Sequence, residues 1–192
     1  MNRRVSIVIT LVAALVATVA GALAFQMLAP KAAEKPDPAA ELFYQQNLRD
    51  ATGKMQAMSA HRGKVVVVNF WATWCVPCVQ EIPAFSKTHA EVSGRVAFVG
   101  LGIDSPDSIA AFDARFKPSY PLLVAGASGT ELARAFGNTT GGLPFTVVLG
   151  ADGRVVASHL GRVDEETLKR WIAPYVGAWK AAAGSGKAGS TL

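Results

Sequence analysis

The pattern of hydrophobic and polar positions divides the chain into an apolar N-terminal segment and one longer α/β region. Val5 to Leu28 contains no charged residue, and as a helix it would reach about 36 Å, enough to cross a hydrocarbon core of roughly 30 Å. Residues 29–40 are rich in proline, alanine and charged side chains, which predicts an extended tether. We expect residues 41–180 to form one domain and residues 181–192, which are mostly small and polar, to be a disordered tail.

Within residues 41–180 the apolar runs predict alternating strands and helices. A β-branched run without alternation at 64–70 is typical of a strand buried on both faces, and the run at 95–103 predicts another buried strand. Asp152-Gly153 between two apolar runs predicts a hairpin. The order of elements predicts a mixed sheet flanked by helices, with the hairpin at an antiparallel edge. The remaining predicted elements are a strand pair within 48–59, a strand at 120–124, hairpin strands at 145–149 and 155–159, and helices after Cys75 and at 106–116, 130–136 and 164–175.

Composition and charge narrow the function classes. The 192 residues are 51% hydrophobic and 17% charged, which excludes a wholly disordered chain. The net charge of +5 comes from scattered basic residues. Apart from Arg3-Arg4, the only adjacent basic pair is Lys169-Arg170. The absence of a basic stripe argues against nucleic-acid binding.

Cys75 and Cys78 are the only cysteines, and they form a C-x-x-C motif at the predicted start of a helix. A helix N-terminus stabilises a thiolate. A purely structural disulfide across so short a loop would contribute only roughly 2 kcal/mol. A c-type haem attachment needs histidine where Val79 stands. A zinc site would need further ligands, and the three histidines are isolated in sequence, so we predict a redox pair without metal or cofactor: His61, His89 and His159.

The sequence around this motif, KVVVVNFWATWCVPCVQEIP, followed later by GGLPFTVVLGADGRVV, resembles the membrane-anchored TlpA/ResA-like disulfide reductases over roughly residues 42–175. The resemblance implies a thioredoxin-like fold with a central strand–helix insertion between residues 95 and 124. It also implies that Cys75 attacks a partner disulfide, that Cys78 resolves the mixed disulfide, and that a cis-proline, Pro144, faces the pair.

A third catalytic residue is implied by the same resemblance. Thioredoxin has a buried aspartate where this chain has Asn69, whereas the ResA-like branch has a glutamate three residues after the second cysteine, where Glu81 stands. On a helix, that spacing makes Glu81 a neighbour of Cys78 rather than of Cys75, so Glu81 can serve the resolving thiol as acid or base. The alternative is a charge exposed to solvent in the second helical turn.

Three further residues are predicted to form a substrate-docking surface. Trp74 stands beside Cys75, whereas Trp71 follows a buried strand and is expected in the core; packing alone is the alternative for either tryptophan. We expect the Leu143–Pro144 bond to be cis, which leaves the backbone of Leu143 free to pair with an extended substrate strand. A trans proline that starts a strand is the alternative.

Together these features predict a monomeric protein-disulfide reductase with a single transmembrane helix in the bacterial cytoplasmic membrane. Residues 1–4 would stay in the cytoplasm and the catalytic domain would lie in the periplasm; a secretory signal cleaved near Ala22-Leu23-Ala24 is the alternative. The resemblance implies that its substrates are extracytoplasmic protein disulfides in cytochrome c maturation or copper-centre assembly, and that its electron donor is a membrane protein of DsbD/CcdA type. A disulfide oxidase or isomerase and a non-catalytic docking module stay open.

Overall fold

The computed structural model describes residues 11, 14–19, 21, 35–92 and 94–176. Most of the predicted anchor, half of the predicted tether and the whole predicted tail lie outside these residues. The chain divides into two units, residues 1–34 and residues 35–192. In the first unit the described residues are helical. Among all described residues, none belongs to a helix with the length and apolar character needed to span a bilayer.

The second unit folds around a seven-stranded mixed sheet with the strand order β2-β1-β5-β4-β3-β6-β7. Strands β3, β4 and β5 run parallel, and the other neighbouring pairs are antiparallel. The strands are β1 (Asn47–Asp50), β2 (Met55–Ala57), β3 (Val65–Trp71), β4 (Val96–Gly102), β5 (Leu122–Val124), β6 (Phe145–Leu149) and β7 (Val155–Leu160). The helices are α1 (Pro38–Tyr44), α2 (Val76–Val92), α3 (Pro106–Phe116), α4 (Gly126–Ala135) and α5 (Glu165–Val176), and a 3-10 turn spans Met58–His61. This thioredoxin-like arrangement confirms the predicted mixed sheet and its antiparallel hairpin edge.

Helices cover both faces of the sheet, as the order of elements predicted. All seven residues of β3 are buried, because alternate side chains of this strand enter two different cores. Val67 and Trp71 join the core that contains buried residues of α2, α3 and α5. Val66 and Phe70 join the core that contains residues of α1 and α4. The unalternating apolar run therefore reports burial on both faces.

One helix was not predicted, and another begins earlier than predicted. The predicted tether reaches residue 40, but α1 begins at Pro38, because the Asp37 carboxylate caps the helix by accepting from the Ala39 N–H at 2.8 Å. The next two alanines are buried, so this segment belongs to the folded unit. Helix α4 begins at Gly126 rather than at residue 130. The first residues of this helix include two glycines, which have low helix propensity, so the sequence did not predict its start. Gly129 is closely packed, since a Cβ there would lie 2.8 Å from that of Ala125.

The topology brings the cysteine motif and the predicted cis-proline to one end of the sheet. Strand β3 leads into the loop before Cys75, and β6 starts directly after Pro144. Because β3 and β6 are antiparallel neighbours with Phe70 opposite Phe145, the end of β3 lies beside the start of β6. The loop after β4 joins this end of the sheet, since the Ile103 N–H donates to the Trp71 carbonyl at 2.8 Å.

Candidate active site

Cys75 and Cys78 form a disulfide with their Cα atoms 5.3 Å apart. Cys75 immediately precedes α2, and its carbonyl accepts from the Val79 N–H at 3.1 Å. The Cys78 backbone N–H donates to Cys75 Sγ at 3.3 Å. Cys75 is 6% exposed and Cys78 is fully buried. After reduction, the helix N-terminus and this N–H group would stabilise a thiolate on Cys75, the sulfur nearer the surface.

The Leu143–Pro144 peptide bond is cis, as predicted. Pro144 is buried, and its carbonyl accepts from the Gly161 N–H at 2.8 Å, which fixes it to the loop after β7. Leu143 is half-buried. Its backbone N–H and carbonyl have no backbone partner within the described part of the chain. These groups can therefore accept an added strand.

The two tryptophans divide as predicted. Trp74 is 67% exposed beside the disulfide. Trp71 is fully buried, with its ring centroid 4.8 Å from that of Phe112. Trp74 thus presents a large apolar surface next to Cys75, whereas Trp71 belongs to the core below it.

Glu81 is buried, with 1% of its surface exposed, so the solvent-exposed alternative is wrong. Its Oε1 accepts from Asn69 Nδ2 at 2.7 Å, and its Oε2 accepts from the Val163 N–H at 2.9 Å. Burial raises the pKa of Glu81 to about 7, against the opposing effect of these two hydrogen bonds and of the Arg162 charge. A carboxyl with this pKa exchanges protons near neutral pH.

Two contacts at this site were not predicted from sequence. Asn69 Nδ2 also donates to Thr146 Oγ1 at 3.1 Å, and these two residues stand opposite each other on β3 and β6. Asp104, just after β4, accepts from both the backbone N–H and the hydroxyl of Thr73. The available signals were a polar residue inside each of two apolar runs, and an acidic residue at the carboxyl end of a parallel strand.

Comparisons with known proteins show which family and which relatives this chain is similar to. A model of the family described as Redoxin matches residues 29–171. The thioredoxin-like protein YneN of Bacillus subtilis is 26% identical over 130 residues, which are 65% of this chain and 72% of YneN. The thiol-disulfide oxidoreductase ResA of Halalkalibacterium halodurans is 27% identical and covers 65% of this chain and 70% of ResA. A crystal structure of a thiol:disulfide interchange protein from Chlorobium tepidum is similar with a TM-score of 0.59 and 28% identity, over 69% of this chain and 93% of that one.

Proposed function

This chain belongs to the Redoxin family, and we propose that it is an extracytoplasmic reductase that passes electrons from Cys75 and Cys78 to the disulfides of partner proteins. Its similarity to YneN and ResA supports a thioredoxin-fold enzyme of the TlpA/ResA-like thiol–disulfide oxidoreductases. The observation that carries the proposal is the cysteine pair itself, with Cys75, 6% exposed, just before a helix N-terminus and Cys78 fully buried.

The reaction that this pair supports has two steps. In the reduced protein the Cys75 thiolate attacks one sulfur of a partner disulfide, so the partner's S–S bond breaks and its other sulfur leaves and takes a proton. Cys78 then loses its proton and attacks Cys75 Sγ, which releases the partner's second sulfur as a thiol. Two electrons have passed to the partner, and the chain holds the Cys75–Cys78 disulfide of the present structure.

Glu81 is the proposed proton acceptor for the second step. Cys78 is fully buried, so water has little access to its thiol. Glu81 lies three residues further along α2 and is held by Asn69 and Val163. Its pKa of about 7 allows it to take the thiol proton and to release it later.

Trp74, Leu143 and Pro144 are the proposed docking surface. An extended segment of the partner would pair with the free backbone groups of Leu143. The exposed ring of Trp74 would then cover apolar side chains beside the partner's cysteine.

We place this reaction outside the cytoplasm, in a monomer anchored by residues 5–28. The support is the absence of charge in this segment and the two arginines before it, which favour a cytoplasmic N-terminus. The proposed donor is a membrane protein of DsbD/CcdA type, and the proposed substrates are disulfides in cytochrome c maturation or copper-centre assembly. Fractionation tests the anchor, because a soluble form beginning near Phe25 would show a cleaved signal instead.

The decisive experiment traps the partner. Cys78→Ser cannot resolve the mixed disulfide, so it should accumulate a partner joined through Cys75, whereas Cys75→Ser should accumulate none. The equilibrium reduction potential of the wild-type pair against glutathione gives the direction of transfer. A value above about −180 mV would favour an oxidase or isomerase. Full function in a double serine variant would favour a docking module.

A further inference from the structure

Cys75 is the last residue of a four-residue turn that follows β3. The Cys75 N–H donates to the Ala72 carbonyl at 3.2 Å, which closes the turn. Thr73 and Trp74 are its central residues. The exposed indole of Trp74 and the sulfur of Cys75 therefore both depend on the position of this turn.

Asp104, in the loop after the neighbouring strand β4, accepts hydrogen bonds from this turn. Its Oδ2 accepts from the Thr73 N–H at 3.1 Å and also from the Thr73 hydroxyl. Its Oδ1 accepts from the Ser105 N–H at 2.7 Å. Ser105 in turn caps α3, where its hydroxyl accepts from the Ser108 N–H at 3.1 Å. One carboxylate thus connects the turn before the disulfide to the start of α3, which lies in the central insertion, residues 95–124.

Asp104 remains charged at neutral pH in this position. Partial burial acts to raise the pKa of Asp104, but hydrogen bonds from Thr73 and Ser105 outweigh it and hold the pKa below its usual range. Bonds to a charged acceptor are stronger than neutral ones. The chain from Thr73 to Cys75 spans at most about 7 Å. A displacement of Thr73 is therefore transmitted to Cys75 with little slack.

We propose that Asp104 is a positioning residue of the redox site, which fixes the turn Ala72–Cys75 and thereby holds Cys75 Sγ against its N–H donor at the start of α2. Without this restraint the turn loosens, and Cys75 Sγ loses the Cys78 N–H that would stabilise its thiolate. The proposal gives the central insertion a role in the reaction, because Asp104 belongs to it. It rests on the proposed function only in taking Cys75 as the attacking thiol.

The test uses the full chain in a Cys78→Ser background, which leaves one thiol and keeps the backbone N–H of residue 78. The rate at which iodoacetamide alkylates Cys75 near neutral pH is the readout, with urea unfolding to determine the folded fraction. Thr73→Val removes the hydroxyl donor but keeps the shape and the Asp104 charge. We expect it to slow alkylation about threefold to tenfold, the effect of one lost hydrogen bond. Thr73→Ser, which keeps the hydroxyl, should restore the wild-type rate.

A double-mutant cycle assigns the effect to Asp104. In an Asp104→Asn background, which weakens the acceptor, Thr73→Val should change the rate less. The control background is Asp107→Asn, which removes a charge from the exposed first turn of α3. In this background Thr73→Val should keep its full effect on the alkylation rate. Equal rates for Thr73→Val and Thr73→Ser at equal folded fraction would overturn the proposal, as would equal effects in the two backgrounds. Alkylation requires no protein partner, so failure of the trapping experiment would overturn the proposed function alone.

Discussion

Helices α2 and α5 are connected at two places by carboxylates in opposite environments. In the first two turns of α2, buried Glu81 accepts from the Val163 N–H just before α5 and from Asn69. Further along α2, ion pairs near the surface connect the same helices. Lys169 of α5 lies 2.7 Å from Glu91 and 2.6 Å from Glu165, and Lys87 lies 2.9 Å from Glu165.

The two connections differ in their effect on stability and in whether their carboxyl groups exchange a proton near neutral pH. Burial raises the pKa of Glu81, whereas hydrogen bonds from Lys169 and Lys87 lower the pKa of Glu165. An ion pair near the surface contributes about 0–1 kcal/mol and stays charged at neutral pH. A buried carboxyl lowers stability once it is ionised, but it can exchange a proton near pH 7. The ion pairs therefore add a small stabilisation to the contact between the helices, whereas the buried carboxyl can transfer a proton near neutral pH.

The largest expected effect is on the pH dependence of stability in Glu81→Gln. In the wild type the folded pKa of about 7 lies above 4.5, the ordinary pKa of a glutamate side chain. The folded state therefore binds more protons between these values, and stability falls as pH rises through this window. The shift corresponds to about 3 kcal/mol. Glutamine does not titrate, so the variant should gain on the wild type by up to this amount between about pH 4.5 and about pH 8.

Urea unfolding of the oxidised proteins at several pH values measures this difference. Glutamine leaves one hydrogen bond with Asn69 or Val163 mismatched, which shifts the variant by a constant amount at every pH. The pH-dependent part is therefore the informative quantity. Parallel stability curves for the two proteins would show that Glu81 titrates like an exposed carboxyl, and the comparison between the two connections would fail.

Asn69→Ala is expected to have the next largest effect. The substitution removes the donor for both Glu81 Oε1 and Thr146 Oγ1. We expect a loss of about 1–3 kcal/mol at neutral pH, because both acceptors stay buried. The lost hydrogen bond also raises the pKa of Glu81 further, so the pH window in which stability falls extends to higher pH. Urea unfolding against pH measures both effects.

Thr146→Val is the matched control for this prediction. It removes the hydroxyl from the same network and leaves the hydrogen bond between Asn69 and Glu81 in place. Its stability should change without a shift of the pH window. An identical shift in both variants would mean that the window reports general loosening of the core rather than the donor to Glu81.

The hydrophobic pattern predicted most of this fold because burial dictates it. The run at residues 64–70 predicted β3, and the C-x-x-C motif placed the disulfide correctly at the start of α2. Helix periodicity predicted that Glu81 is a neighbour of Cys78 on the helix surface. It could not predict which residue outside the helix hydrogen-bonds to the Glu81 carboxylate. One such residue is Val163, which is 82 residues away. Hydrogen bonds from a side chain to a residue far away in the sequence, such as those that Asp104 accepts from Thr73, leave no periodic signal.

The smallest expected effect is that of Lys169→Met, which removes the cation shared by Glu91 and Glu165. Methionine keeps most of the aliphatic stem, so packing changes little. We expect a loss below about 1 kcal/mol at neutral pH, and a smaller loss in about 1 M salt than in about 0.01 M salt. Because the pKa of Glu165 is lowered in the folded state, its contribution is present above its unfolded pKa and disappears as pH falls through the folded value. The difference from wild type should therefore shrink in acid, whereas the difference caused by Glu81→Gln grows as pH rises. If the loss of stability is the same at all salt concentrations and pH values, Lys169 stabilises the helices by packing alone.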